Sequence, residues 1–161
     1  MYWARLLLLL LMAMPAWSGD DHTLLDFELR SLEGPERHSL KQYRGTPVMM
    51  MFFEPDCPWC FKQVRVFNQL SQECAGGVRP LAVGVNGSRR ELLAEYRKSK
   101  PEFPAYQGSA SLLEAIGGVP ATPFTLVANE QGQPLGWLRG YMDAARLKTL
   151  IKQQFGGGCT A

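Results

Sequence analysis

Between Thr46 and Phe53 the chain reads TPVMMMFF, a continuous apolar run bounded by turn residues. Such a run predicts a central strand buried on both faces. A strand of that kind needs a covering layer on each side, which restricts the fold to a few layered architectures. The pattern then changes period. Val64, Phe67, Leu70 and Cys74 recur at helical spacing, so Pro58 to Cys74 reads as a helix. VRPLAVGV (Val78 to Val85) is a second buried strand. Together these form a βαβ unit, with parallel strands and a right-handed crossover.

The rest of the chain extends that unit. Arg89 to Lys98 reads as a helix started near Ser88 and stopped before Pro101. FPAYQG is a short extended piece, and Ser111 to Ile116 a short helix. PFTLVA and PLGWLRG flank NEQGQ as a hairpin that adds antiparallel strands to the sheet. Asp143 caps a last helix whose buried face is Leu147, Leu150, Ile151 and Phe155. Gly19 to Leu40 reads as an irregular lead-in with short alternating stretches and a turn at Gly34-Pro35. The expected fold class is α/β, a central mixed sheet flanked by helices, with an N-terminal extension over 19–45 and a flexible glycine-rich tail over 156–161.

A length of 161 residues suits one domain. The formal charge of +2 is too small to argue for a nucleic-acid partner or an anionic surface. Residues 1–18 stand apart. A single positive charge, Arg5, precedes an apolar run from Leu6 to Trp17, and Ala16 and Ser18 supply the small residues of a cleavage site. The run is shorter than the roughly 18 residues a membrane span needs. The expectation is a cleavable secretory signal cut after Ser18, with a periplasmic product; the alternative is an uncleaved anchor that leaves the domain facing the periplasm. Outside the cytosol disulfides persist, and an even cysteine count favours pairing. Cys57 and Cys60 are one candidate pair; Cys74 and Cys159 remain as another.

The segment EPDCPWCFK places Cys57 at the end of the buried strand and the start of the helix. Pro58 then takes the first helical position, which lacks a use for an N–H. Free N–H groups and the positive dipole end favour a thiolate there. A thiolate is the attacking species in disulfide exchange, so Cys57 is the expected nucleophile. Cys60, one turn later, is placed to resolve the mixed disulfide. A structural zinc site needs about four ligands. The two histidines, His22 and His38, lie in the lead-in, and there is no second CxxC. An inert staple across one helical turn would restrict the unfolded chain little. The MMM run does not form a copper site, because successive strand residues alternate faces. Trp59, between the cysteines, reads as a partly exposed contact for a partner protein.

VMMMFFEPDCPWC, PLAVGVNGSRRELLAEYRKS and GGVPATPFTLVANEQGQPLGWLRGYMDAARLKTLI together resemble the exported, TlpA-like branch of the thioredoxin superfamily. The resemblance covers nearly all of the mature chain. It implies a thioredoxin-like fold and thiol–disulfide oxidoreductase activity. The expected redox centre is the Cys57–Cys60 disulfide, with no further cofactor or metal. It also implies a cis Pro123, with Thr122 and Pro123 joining Pro58 and Trp59 as substrate-binding positions. In that fold the last helix runs alongside the active-site helix, which brings Cys159 near Cys74 for a structural disulfide. Implied partners are exported protein thiols and disulfides and an upstream, membrane-bound thiol donor, with the protein acting as a monomeric reductase. A thiol oxidant of the same fold, or a metallochaperone-like binding module, are the alternatives. Peroxidases of the superfamily carry Thr or Ser where Glu54 stands here. Acids usual in relatives are replaced by Met51 and Gln63, which leaves Glu54 as the expected helper in deprotonating Cys60.

Overall fold

The computed structural model describes residues 23–156 and Cys159. The expected signal segment lies outside these residues, as do Gly157, Gly158, Thr160 and Ala161 of the tail. The elements in chain order are β1 (Glu28–Ser31), β2 (Arg37–Ser39), β3 (Val48–Phe53), α1 (Pro58–Glu73), β4 (Arg79–Gly84) and α2 (Arg89–Ser99). After them come β5 (Ala105–Gln107), α3 (Ala110–Ala115), β6 (Phe124–Ala128), β7 (Pro134–Arg139) and α4 (Ala144–Phe155). Among the described residues the strands form one sheet in the order β2-β1-β5-β4-β3-β6-β7. Strand β3 pairs parallel with β4, from Val48 opposite Arg79 to Phe53 opposite Gly84, and antiparallel with β6.

All six residues of β3 are buried. Its alternation splits the core in two. Met49, Met51 and Phe53 meet Phe67 and Leu70 of α1, Leu92 and Tyr96 of α2, and Leu147 and Ile151 of α4. Val48, Met50 and Phe52 meet Leu112 of α3 and Leu24, Leu25, Leu29 and Leu40 of the N-terminal segment. The three consecutive methionines thus pack in opposite layers as core. Burying side chains such as Phe67 and Leu70 contributes about 2 kcal/mol each.

The lead-in is more ordered than its sequence pattern indicates. The Gly34-Pro35 turn joins β1 and β2 in an antiparallel hairpin, and β1 pairs antiparallel with β5, which leaves β2 as the edge strand. The lead-in's alternating stretches become strands of four and three residues, too short for their pattern alone to fix pairing. The segment is also held at its start. Leu24 N–H donates to the Gly132 carbonyl at 2.8 Å. Gly132 closes the β6–β7 hairpin with φ +83, and a Cβ there would come within 2.5 Å of the Leu25 side chain.

Helix boundaries follow local chemistry. Ser88 and Glu91 form a reciprocal capping box at the start of α2. Asp143 accepts from the Arg146 N–H at the start of α4. Leu147 and Ile151 are the fully buried residues of α4, while Leu150 and Phe155, expected on the same face, pack at the margin of that core. Helix α4 runs alongside α1 in the same direction. Gln63 near the start of α1 bonds Met142 just before α4, and the ion pair between Glu73 and Lys148 lies further along both helices.

Candidate active site: the start of α1 and the cis-proline loop

Strand β3 ends at Phe53, and Glu54, Pro55 and Asp56 turn the chain into α1. Asp56 adopts φ 56, a left-handed conformation that aspartate tolerates better than most residues. The turn delivers Cys57 as N-cap, with Pro58 in the first turn. Cys57 Sγ accepts the Cys60 N–H at 3.2 Å. That N–H also donates to the Cys57 carbonyl at 3.1 Å, so the sulfur is its second acceptor, placed where a serine or aspartate oxygen stands at other helix starts. Cys57 and Cys60 are disulfide-bonded, with Cα atoms 5.3 Å apart. Cys57 is 7% exposed and lines an open groove with Pro58, Phe61 and Lys62; Cys60, at 3%, lies deeper.

The loop before β6 faces this pair. The Thr122–Pro123 peptide bond is cis, while Pro120 lies further back in the same loop. The Thr122 hydroxyl oxygen sits 2.6 Å from Glu54 Oε1 and 3.6 Å from Cys57 Sγ. Its single proton belongs to the nearer and stronger acceptor, the carboxylate. Asn86, after β4, donates to the other oxygen, Glu54 Oε2, at 2.9 Å. The Thr122 hydroxyl, then the Asn86 amide, hold the Glu54 carboxyl below its ordinary value, against a smaller opposing effect of burial. These bonds place Glu54 on the Cys57 side of the site.

On the Cys60 side, Gln63 is 1% exposed. Its side-chain amide donates to the Met142 carbonyl at 3.1 Å and accepts the Met142 N–H at 2.8 Å. A neutral amide satisfies both backbone groups at once, which a carboxylate cannot. Trp59 is 52% exposed beside Cys57. Lys62 Nζ lies 4.0 Å from its ring centroid, and the Tyr141 ring packs 5.8 Å away. Together they give the rim of the site an aromatic surface with a cation on it.

The other cysteines lie far from this surface. Cys74 caps the C-terminal end of α1 and is fully buried; it is disulfide-bonded to Cys159 beyond the end of α4. The fold thus gathers Cys57, Cys60, Pro58, Trp59, Thr122, Pro123 and Glu54 in one place and leaves Cys74 and Cys159 at the opposite end. Three neighbours of the site were not singled out in the sequence: Asn86, Tyr141 and Glu95, the last lining the groove with Cys57. Asn86 and Tyr141 carry no local signal, whereas the place of Glu95 on the apolar stripe of α2 between Leu92 and Tyr96 is a signal that could have found it.

A mixed sheet covered on both faces, with a CxxC pair at a helix start opposite a cis-proline loop, defines a thioredoxin-like fold carrying a dithiol–disulfide centre. The chain belongs to the thioredoxin-like domain family, whose match spans residues 37–155. No curated protein matches the chain. Among solved structures it is similar to a secreted disulfide oxidoreductase of Mycobacterium tuberculosis, at 16% identity and a TM-score of 0.67, over 81% of this chain and 97% of that one. A thiol:disulfide interchange protein of Chlorobium tepidum gives 19% identity and 0.70, over 81% and 93%. The exposed lipoprotein thioredoxin of Streptococcus pneumoniae gives 21% and 0.69, over 80% and 98%.

Proposed function

We propose that the protein is an exported thiol–disulfide oxidoreductase that works as a reductase of other exported proteins. Cys57 attacks the substrate disulfide and Cys60 releases the product. The helix start and the Cys60 N–H stabilise the Cys57 thiolate enough for attack. The observation that carries the direction is the Glu54 carboxylate, held on the Cys57 side of the site by the Thr122 hydroxyl, which lies 2.6 Å from Glu54 Oε1 and 3.6 Å from Cys57 Sγ. A negative charge there favours S–H over S⁻ at Cys57. A reduced state stabilised less as thiolate makes the pair a better electron donor.

Export is supported by the apolar leader, by the two disulfides, and by the secreted and surface-exposed character of the Mycobacterium and Streptococcus proteins. Among the described residues no helix is long and apolar enough to cross a membrane. The partners are exported protein thiols and disulfides, which the Trp59–Tyr141 rim and the Thr122–Pro123 loop would bind by strand addition. A membrane-bound thiol donor upstream restores the dithiol. Use of the cysteines as metal ligands finds no support, since no third ligand-type side chain gathers with them among the described residues.

Equilibration against a dithiol buffer tests the direction. The expected potential of the Cys57–Cys60 couple lies more negative than about −200 mV. A value near the roughly −120 mV of strong oxidants would reverse it.

A further inference from the structure

We propose that Glu95, on α2, is the proton acceptor for Cys60 in the resolving step. The proposal rests on the reading above, in which the Cys60 thiol attacks a mixed disulfide held on Cys57. Cys60 is enclosed, and burial disfavours its thiolate, so it needs a base close by. Two polar side chains near it are already engaged. Gln63 is neutral and tied to Met142 at both ends of its amide, and Glu54 is held by Thr122 and Asn86.

Glu95 is only 6% exposed and sits on the buried stripe of α2. A carboxylate in such a place is costly unless it is partnered or used. Its ion pair with Lys98, at 3.6 Å, involves an ammonium that is itself mostly in solvent. Glu95 and Cys60 line the same small cavity, whose other walls include Met51, Phe61 and Val64. Its volume of about 10 Å³ is close to what a single water needs. Glu95 also lines the outer groove with Cys57, so it touches both the enclosed thiol's cavity and the open side. Among the described residues no other carboxylate lines the cavity that holds Cys60.

Cys57 is joined to the substrate sulfur by a mixed disulfide. The Cys60 S–H proton passes through one water to the Glu95 carboxylate. The Cys60 thiolate attacks Cys57 Sγ, forming the Cys57–Cys60 bond and breaking the Cys57–substrate bond. The substrate leaves as a thiolate and is protonated by solvent, Glu95 returns its proton through the groove, and two electrons have moved from the cysteines to the substrate. In the reverse direction Glu95 protonates Cys60 as it leaves. The charged or titratable groups facing Glu95 are Lys98 and Tyr96 on α2, Lys62 and Arg65 on α1, and Asp56 in the preceding loop.

The test uses the reduced full chain and the aromatic disulfide 5,5′-dithiobis(2-nitrobenzoate), followed by stopped flow. The first released thiol reports attack by Cys57, and the second reports resolution by Cys60. Glu95→Gln should leave the first phase unchanged, slow the second at least about tenfold at neutral pH, and make it rise in proportion to hydroxide. A second phase equal to wild type across the pH range overturns the proposal, and so does equal slowing of both phases, which marks a structural role. Lys98→Glu, an exposed change that leaves the cavity intact, should move the acid limb of the second phase to higher pH by about half a unit. An unmoved limb overturns the proposal even if Glu95→Gln fails to fold. Absence of the first phase in wild type defeats the oxidoreductase reading instead.

Discussion

Cys57–Cys60 and Cys74–Cys159 sit at opposite ends of α1 and contain the same bond in opposite surroundings. The first pair stands at the positive end of the helix, beside a groove, with the Cys60 N–H donated to the Cys57 sulfur. The second stands at the negative end, with Cys74 fully buried. The first closes a sequence separation of 3 and the second of 85. Chain separation decides what a disulfide does for stability, and the local field decides how readily its thiolate forms. The comparison teaches that a cysteine's use is set by which end of a helix it caps and what shares its surface.

The sharpest way to break this contrast is to remove one member of each pair. Cys57→Ala should abolish insulin reduction, by at least about a thousandfold, and leave thermal stability near wild type. Cys60→Ala should retain attack and accumulate mixed disulfide, seen on non-reducing gels. Replacing both Cys74 and Cys159 by Ser should do the reverse. Loop-closure entropy puts the stability loss at about 4.5 kcal/mol, read by urea denaturation, with the potential of the Cys57–Cys60 couple unchanged. A shifted potential in that variant would show that the two ends communicate.

Smaller changes sharpen the active end. Gln63→Glu replaces the amide donor by a carboxylate facing the Met142 carbonyl, and should cost about 1–3 kcal/mol of stability by denaturant titration. Glu54→Gln should lower the pKa of the Cys57 thiol by about one unit, worth about 1.4 kcal/mol, and make the couple less reducing. Thiolate absorbance against pH reads this directly; an unchanged Cys57 titration removes the argument for direction. Glu54 also carries a pH signature. Its folded pKa is depressed below the ordinary value by Thr122 and Asn86, so its contribution to stability is present above that ordinary value, near pH 4.5, and is lost as pH falls through the lowered one. Glu54→Gln should flatten stability against pH only in that acid window.

The layered fold was legible because β3 is apolar throughout and the segment after Cys57 is periodic at helical spacing. The N-terminal hairpin was not, because three- and four-residue strands carry too little pattern. The cysteine pair and its strand–helix setting were legible from spacing. Thr122 and Pro123 came from the family resemblance; the rest of what surrounds the pair was not legible, since Asn86, Tyr141 and Glu95 come from three different parts of the chain and meet only through the sheet order. The placing of Glu54 shows the same limit. Closeness in sequence put it near the cysteines, but β6 and the loop before it decided which sulfur it faces.

The sixteen residues of α1 have a consequence for electron accounting. A helix of that length spans about 24 Å, far beyond the contact that thiol–disulfide exchange requires. Sulfurs at its two ends cannot trade a disulfide within one molecule. Although the chain carries four cysteines, its working capacity is therefore two electrons per turnover, and a reductive titration at the operating potential should consume one dithiol equivalent rather than two.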